Sequence, residues 1–88
     1  NIISNCLQNG IRVNAAGNNL NIIGNYIGTD PTGTASIKNG AANYLNNSGI
    51  SLSNNSSTII SDNLISGNHS LGILAENSNN LQIKRNII

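Results

Sequence analysis

The side chains able to do chemistry are few. The carboxylates are Asp30, Asp62 and Glu76, the cations are Arg12, Lys38, Lys84 and Arg85, and His69 and Cys6 each occur once. Carboxylates gathered with a cation or base would suit polysaccharide elimination, where acids hold Ca²⁺ or complement a uronate and a base removes a proton. Two acids facing each other across a cleft would suit glycoside hydrolysis. A lone histidine is expected at the surface, with general acid-base work or a metal contact as the alternative. A lone cysteine excludes an intrachain disulfide and a paired-thiol metal motif; Cys6 is expected to fill a small core space, with an intermolecular disulfide or a reactive thiol as the alternative.

Whether these groups converge depends on the elements that carry them. Composition narrows the choice. Eighty-eight residues make one small domain, 1–88, and a net charge of +1 gives no reason to expect a nucleic acid, an anionic membrane or an acidic polymer as partner. No apolar run approaches the roughly 18 residues of a membrane span. Twenty asparagines, poor in helix interiors and favourable in turns, indicate a chain of many corners. It begins directly at a repeat element, without an initiator Met or a signal peptide, as a mature product or an excised piece would. The asparagine-rich sequence also contains several Asn-x-Ser sequons, as such a composition produces by chance.

The repeat is Asn, one variable residue, then an aliphatic: Asn1-Ile2-Ile3, Asn25-Tyr26-Ile27, Asn63-Leu64-Ile65 and Asn86-Ile87-Ile88, at intervals of 24, 38 and 23 residues. A period of this length signals a repeat array. Two further columns lie between these: Gly10-Ile11-Arg12-Val13 with Gly49-Ile50-Ser51-Leu52 and Gly72-Ile73-Leu74-Ala75, and Leu20-Asn21-Ile22 with Thr58-Ile59-Ile60 and Leu81-Gln82-Ile83. Within each, apolar residues alternate with a period of two, which is that of a strand. Three strands per repeat predict an all-β parallel β-helix, a solenoid of about three rungs. Ile3, Ile11, Val13, Leu20, Ile22, Ile27, Ile50, Leu52, Thr58, Ile60 and Ile65 are expected in its core, with the equivalent residues of the last rung.

The periodic asparagines Asn1, Asn25, Asn63 and Asn86 then fall at one corner. There a side-chain amide can donate to one rung and accept from the next, forming an internal ladder. Gly10, Gly49 and Gly72 precede one sheet, where a corner needs either positive φ or a close backbone approach. The connection from Ile27 to Gly49 takes 22 steps where its counterparts take seven, which makes 28–48 a long inserted loop. It contains Asp30-Pro31-Thr32-Gly33, a tight-turn sequence. Loops this long are usually functional or disordered, and Thr29, Asp30, Thr32, Lys38 and Tyr44 are its candidate binding residues.

The strings `GNYIGTDPTGT`, `NLISGN` and `NGIRV` resemble the parallel β-helix repeats of secreted and surface-attached bacterial proteins, in the right-handed pectate-lyase-like superfamily. The resemblance covers essentially the whole chain. It implies right-handed coiling and a long loop bordering the sheet beside which superfamily enzymes bind polysaccharide. The enzymes' catalytic constellation is not matched: placed on the rungs, the acids and cations scatter. No catalytic residue, cofactor or metal site is therefore expected, and enzymatic activity is uncertain, leaning against.

Two features point to association. Ile2, Tyr26, Leu64 and Ile87 form an outward apolar stripe, to be covered by the long loop or by a lateral partner. The sequence starts and stops on the same element without a polar cap, so its ends await neighbouring copies or flanking rungs. The expected function is a structural β-helix unit of an extracellular or cell-surface filament, fibre or adhesin stalk. The alternative is a carbohydrate-binding or lyase-like segment whose catalytic residues lie elsewhere. Expected partners are the chain itself, head-to-tail or laterally, or flanking rungs, and secondarily glycans.

Overall fold

The computed structural model describes residues 1–14, 19–41 and 47–88. Within them lie nine strands and no helix: β1 (Ile2–Ile3), β2 (Ile11–Asn14), β3 (Asn21–Ile23), β4 (Tyr26–Ile27), β5 (Ile50–Ser53), β6 (Ile59–Ser61), β7 (Leu64–Ile65), β8 (Ile73–Glu76) and β9 (Gln82–Lys84). They form three parallel sheets of three strands, in the orders β1-β4-β7, β2-β5-β8 and β3-β6-β9. Consecutive strands therefore belong to different sheets. Each traverse of all three is one pass, and β1–β3, β4–β6 and β7–β9 are the first, second and third.

The register places like on like. Ile11, Ile50 and Ile73 align, as do Val13, Leu52 and Ala75, Ile22, Ile60 and Ile83, and Ile3, Ile27 and Ile65. A one-residue slip would turn each apolar set outward, so the alternation fixes the register. Ile22, Ile27, Ile50, Leu52, Ile60 and Ile65 form the buried core, with Ile3, Ile11, Val13, Leu20, Ile73 and Leu81 packed around it. Each fully buried aliphatic contributes roughly 1.5–3 kcal/mol. Burial is deepest in the second pass. In the third, Ile83 shares its column with Ile60 yet is 47% exposed, because no described strand lies beyond β9.

The corners need backbone that most residues avoid. Gly24, Asp62 and Arg85 each follow the third strand of a pass, and all have positive φ, at 72°, 57° and 56°. Only the first is glycine, and the other two accept a strain of about 1–2 kcal/mol. The Gly10, Gly49 and Gly72 column serves close approach. A Cβ on Gly49 would stand 2.8 Å from Gly72 O and 2.9 Å from Ile65 Cγ2.

The long connection is divided in two. Gly28 occupies the place of Ser66, since Gly28 N donates to Ile3 O as Ser66 N donates to Ile27 O. Asn39 occupies the place of Asn68: Cys6 N donates to Asn39 Oδ1, and Asn39 N to Asn68 Oδ1. Gly28 to Asn39 takes eleven steps where Ser66 to Asn68 takes two, and Asn39 to Gly49 takes ten where Asn68 to Gly72 takes four. Nine and six residues are thus inserted on either side of Asn39-Gly40, both of which are buried. The 28–48 segment is thus interrupted by a corner of the core, and its first part forms an excursion before Asn39.

Candidate functional site

Two asparagine columns run through the corners. In the first, Asn25 N and Nδ2 both donate to Asn63 Oδ1, at 2.9 and 3.1 Å, and Asn63 N and Nδ2 both donate to Asn86 Oδ1, at 3.0 and 2.9 Å. Asn63 Nδ2 also donates to Ile22 O and Asn86 Nδ2 to Ile60 O, each at 2.9 Å. One rule covers both steps. The Oδ1 of a lower asparagine takes the N–H of the asparagine above, and its Nδ2 reaches the carbonyl three residues before that upper asparagine. Asn1 is exposed at the edge of the first pass and accepts Tyr26 N through its backbone carbonyl.

The second column follows the same rule at its first step, and at its second the nine residues inserted before Asn39 move the reached carbonyl from three to twelve residues upstream. Asn39 Oδ1 takes Cys6 N at 3.0 Å while Asn39 Nδ2 donates to Ile3 O, three residues before Cys6, at 3.0 Å. Asn68 Oδ1 takes Asn39 Nδ2 at 3.0 Å, and Asn68 Nδ2 donates to Ile27 O at 3.1 Å. Sequence reasoning missed this column because the insertions put Asn39 out of phase and a cysteine stands in the first pass. A signal was present: Ile3-Ser4-Asn5-Cys6 and Ile65-Ser66-Gly67-Asn68 share one spacing. Cys6 is partly buried at this corner and unbridged.

The first excursion is a short hairpin closed by the Thr29–Ser36 bridge. Gly33 N donates to Asp30 O, forming the turn that Asp30-Pro31-Thr32-Gly33 favours. Asp30 Oδ1 accepts from Thr32 Oγ1 at 2.7 Å, Thr32 N at 3.1 Å and Thr34 N at 3.2 Å. The Thr32 hydroxyl foremost, with the backbone N–H groups of Ala35 and Thr34, holds the Asp30 carboxyl below its ordinary value. Thr29 is buried, Lys38 is exposed, and Tyr44 lies outside the described residues. The candidate binding residues are thus spent largely on the hairpin itself.

The hairpin lies on the apolar stripe. Ile2, Tyr26 and Leu64 align on β1, β4 and β7, and Ile87 bridges to Leu64. A Cβ on Gly33 would stand 2.9 Å from Leu64 Cδ2 and 3.0 Å from Tyr26 Cε2, so the turn rests on the middle of the stripe. Ser36 Oγ donates to Gly67 O at 2.9 Å and ties the hairpin to the third pass. The ends of the stripe stay open, with Ile2 48% and Ile87 70% exposed.

The charged side chains do not converge. Arg85 Nε and Nη2 grip Asp62 Oδ1 and Oδ2 at 2.8 and 3.1 Å, on the stacked left-handed corners. That grip lowers the Asp62 carboxyl and raises the Arg85 guanidinium. Lys84 Nζ donates to Gln82 Oε1 at 3.2 Å, while Glu76, at the end of β8, and His69 are exposed. Among the described residues no three His, Cys, Asp or Glu side chains gather to hold a metal ion, and no helix is long and apolar enough to cross a membrane. What the arrangement can do is present strand edges and repeat asparagine columns. Comparison of the chain with family models, with curated proteins and with solved structures finds no match.

Proposed function

We propose that the chain is a right-handed parallel β-helix segment acting as a structural stacking unit of an extracellular filament, surface fibre or adhesin stalk. The observation that carries this reading is the pair of open faces. β1, β2 and β3 border one face; at the other β8 and β9 are the outer strands, and Ile87 already pairs with β7 through Leu64. Both faces display the same three-sheet pattern, so a pass of this kind laid on either one continues the parallel ladders, and on the third-pass face it covers Ile83 and Ile88. A non-closing contact of this sort extends into a fibre. Right-handedness accords with the strong preference of parallel crossover connections.

The loop gives glycan binding less support. Asp30 is occupied by its own turn and Gly33 by Tyr26 and Leu64. The test is sedimentation velocity with electron microscopy on the purified chain at micromolar concentration. Elongated species of increasing length are expected. A stable 9.2 kDa monomer with nothing larger would overturn self-assembly.

A further inference from the structure

We propose that the open face of the third pass carries a carboxamide-binding site, whose ligand is the asparagine side chain of an incoming polypeptide corner with the spacing Ile-x-x-Asn. This deepens the stacking reading and rests on it. A groove of about 150 Å³ lies below the second asparagine column, lined in part by Ile65, Asn68, Gly72 and Ile88.

Its position follows from the column rule. Asn39 serves Cys6 N and Ile3 O of the first pass, and Asn68 serves Asn39 N and Ile27 O of the second. The corresponding pair in the third pass is Asn68 N and Ile65 O, on two of the residues that line the groove. No described side chain takes that place. The groove is the next position of the column.

The chemistry selects the ligand. One donor and one acceptor must be met together, and a primary carboxamide supplies both an oxygen and an NH₂. A carboxylate would satisfy Asn68 N and set a negative charge against Ile65 O. A thiol is too weak a donor and acceptor to replace the pair, and a second copy of this chain would bring Cys6 to this column. The group that fits this position is therefore an asparagine, as in the chain's own third corner, whereas a copy of this chain stacked on the ladders would leave this one pair unmet at its Cys6 corner.

Three extensions of the 88-residue chain beyond Ile88 test this: Ser-Gly-Asn-His-Ser, which repeats residues 66–70, the same pentapeptide with Ala for Asn, and Ser-Asn-Cys-Leu-Gln, which repeats residues 4–8. Amide exchange of Asn68 is read by NMR, with the Asn39 amide before and after Asn68→Ala as the internal scale. The asparagine extension is expected to slow Asn68 exchange about tenfold relative to the other two. Equal protection by all three would overturn the carboxamide site and leave stacking intact. Greater protection by the cysteine extension would overturn it in favour of a second copy. If all three tails stay disordered by ¹⁵N relaxation, both the site and stacking at this face are overturned.

Discussion

Asn63 and Asn86 are joined twice through a single atom: Asn63 N and Nδ2 both donate to Asn86 Oδ1, at 3.0 and 2.9 Å. Asn63 in turn offers its own Oδ1 to both nitrogens of Asn25. Truncating it removes the acceptor of a buried N–H and the donor to Ile22 O in one step. Asn63→Ala is expected to lower stability by about 2–4 kcal/mol, the cost of several buried groups left without partners. Asn54, exposed with φ of 58°, is the control as Asn54→Gly, which keeps the backbone and should change stability by less than about 0.5 kcal/mol. Thermal unfolding decides between them, and equal losses would mean the column does not stabilise.

Asn39 is fully buried inside what the repeat spacing marks as an insertion. Asn39→Ala deprives Cys6 N of its acceptor and Ile3 O and Asn68 Oδ1 of a donor. A loss of about 2–3 kcal/mol is expected, with faster amide exchange at Cys6. Lys38→Ala, one residue away and exposed, should cost less than about 0.5 kcal/mol. A fully independent loop would give two indistinguishable variants.

These two asparagines mark how far the sequence alone reaches. The Asn25, Asn63 and Asn86 column was legible because each precedes an alternating aliphatic pair at a nearly constant interval. The core register was legible for the same reason, from Ile22 and Ile60 to Ile27 and Ile65. Asn39 was not, because nine residues before it and six after it broke the phase. The left-handed corners at Asp62 and Arg85 were also hidden. Arg does not favour positive φ and Asp only tolerates it, so their alignment with Gly24 in the stacked chain is what gives them away. The cover on Tyr26 depends on which way the Asp30–Gly33 turn folds, which spacing does not encode.

The Asp62–Arg85 pair sets a pH dependence of known sign. Its carboxyl is lowered in the folded chain from an ordinary 3.8, first by the Arg85 hydrogen bond. Its contribution is therefore complete above that ordinary value and is lost as pH falls through the lower folded value. Arg85 remains charged throughout. Comparing Asp62→Asn, which still tolerates the left-handed corner, with the unaltered chain should show a melting difference at pH 7. That difference should shrink below about pH 4 and in high salt. A difference that persists at pH 2 would show that shape, rather than charge, holds the pair.

Gly33 is where the hairpin can be lifted without touching the core. Its φ of 75° disfavours any side chain, and a Cβ there would meet Leu64 Cδ2 and Tyr26 Cε2 inside contact distance. Both effects act in the same direction, so Gly33→Ala should raise the turn off Tyr26 and loosen the Ser36–Gly67 bond. Nuclear Overhauser contacts between residue 33 and the Tyr26 ring should disappear, while those between Ile27 and Ile65 remain. Stability should fall by about 1–2 kcal/mol. The uncovered Tyr26 and Leu64 would then join Ile2 and Ile87 in a continuous apolar stripe, so the variant is expected to associate laterally at lower concentration than the unaltered chain. Loss of the Tyr26 contacts without any change in association would confine the hairpin to a local role, and unchanged contacts would mean that the turn does not rest on the stripe.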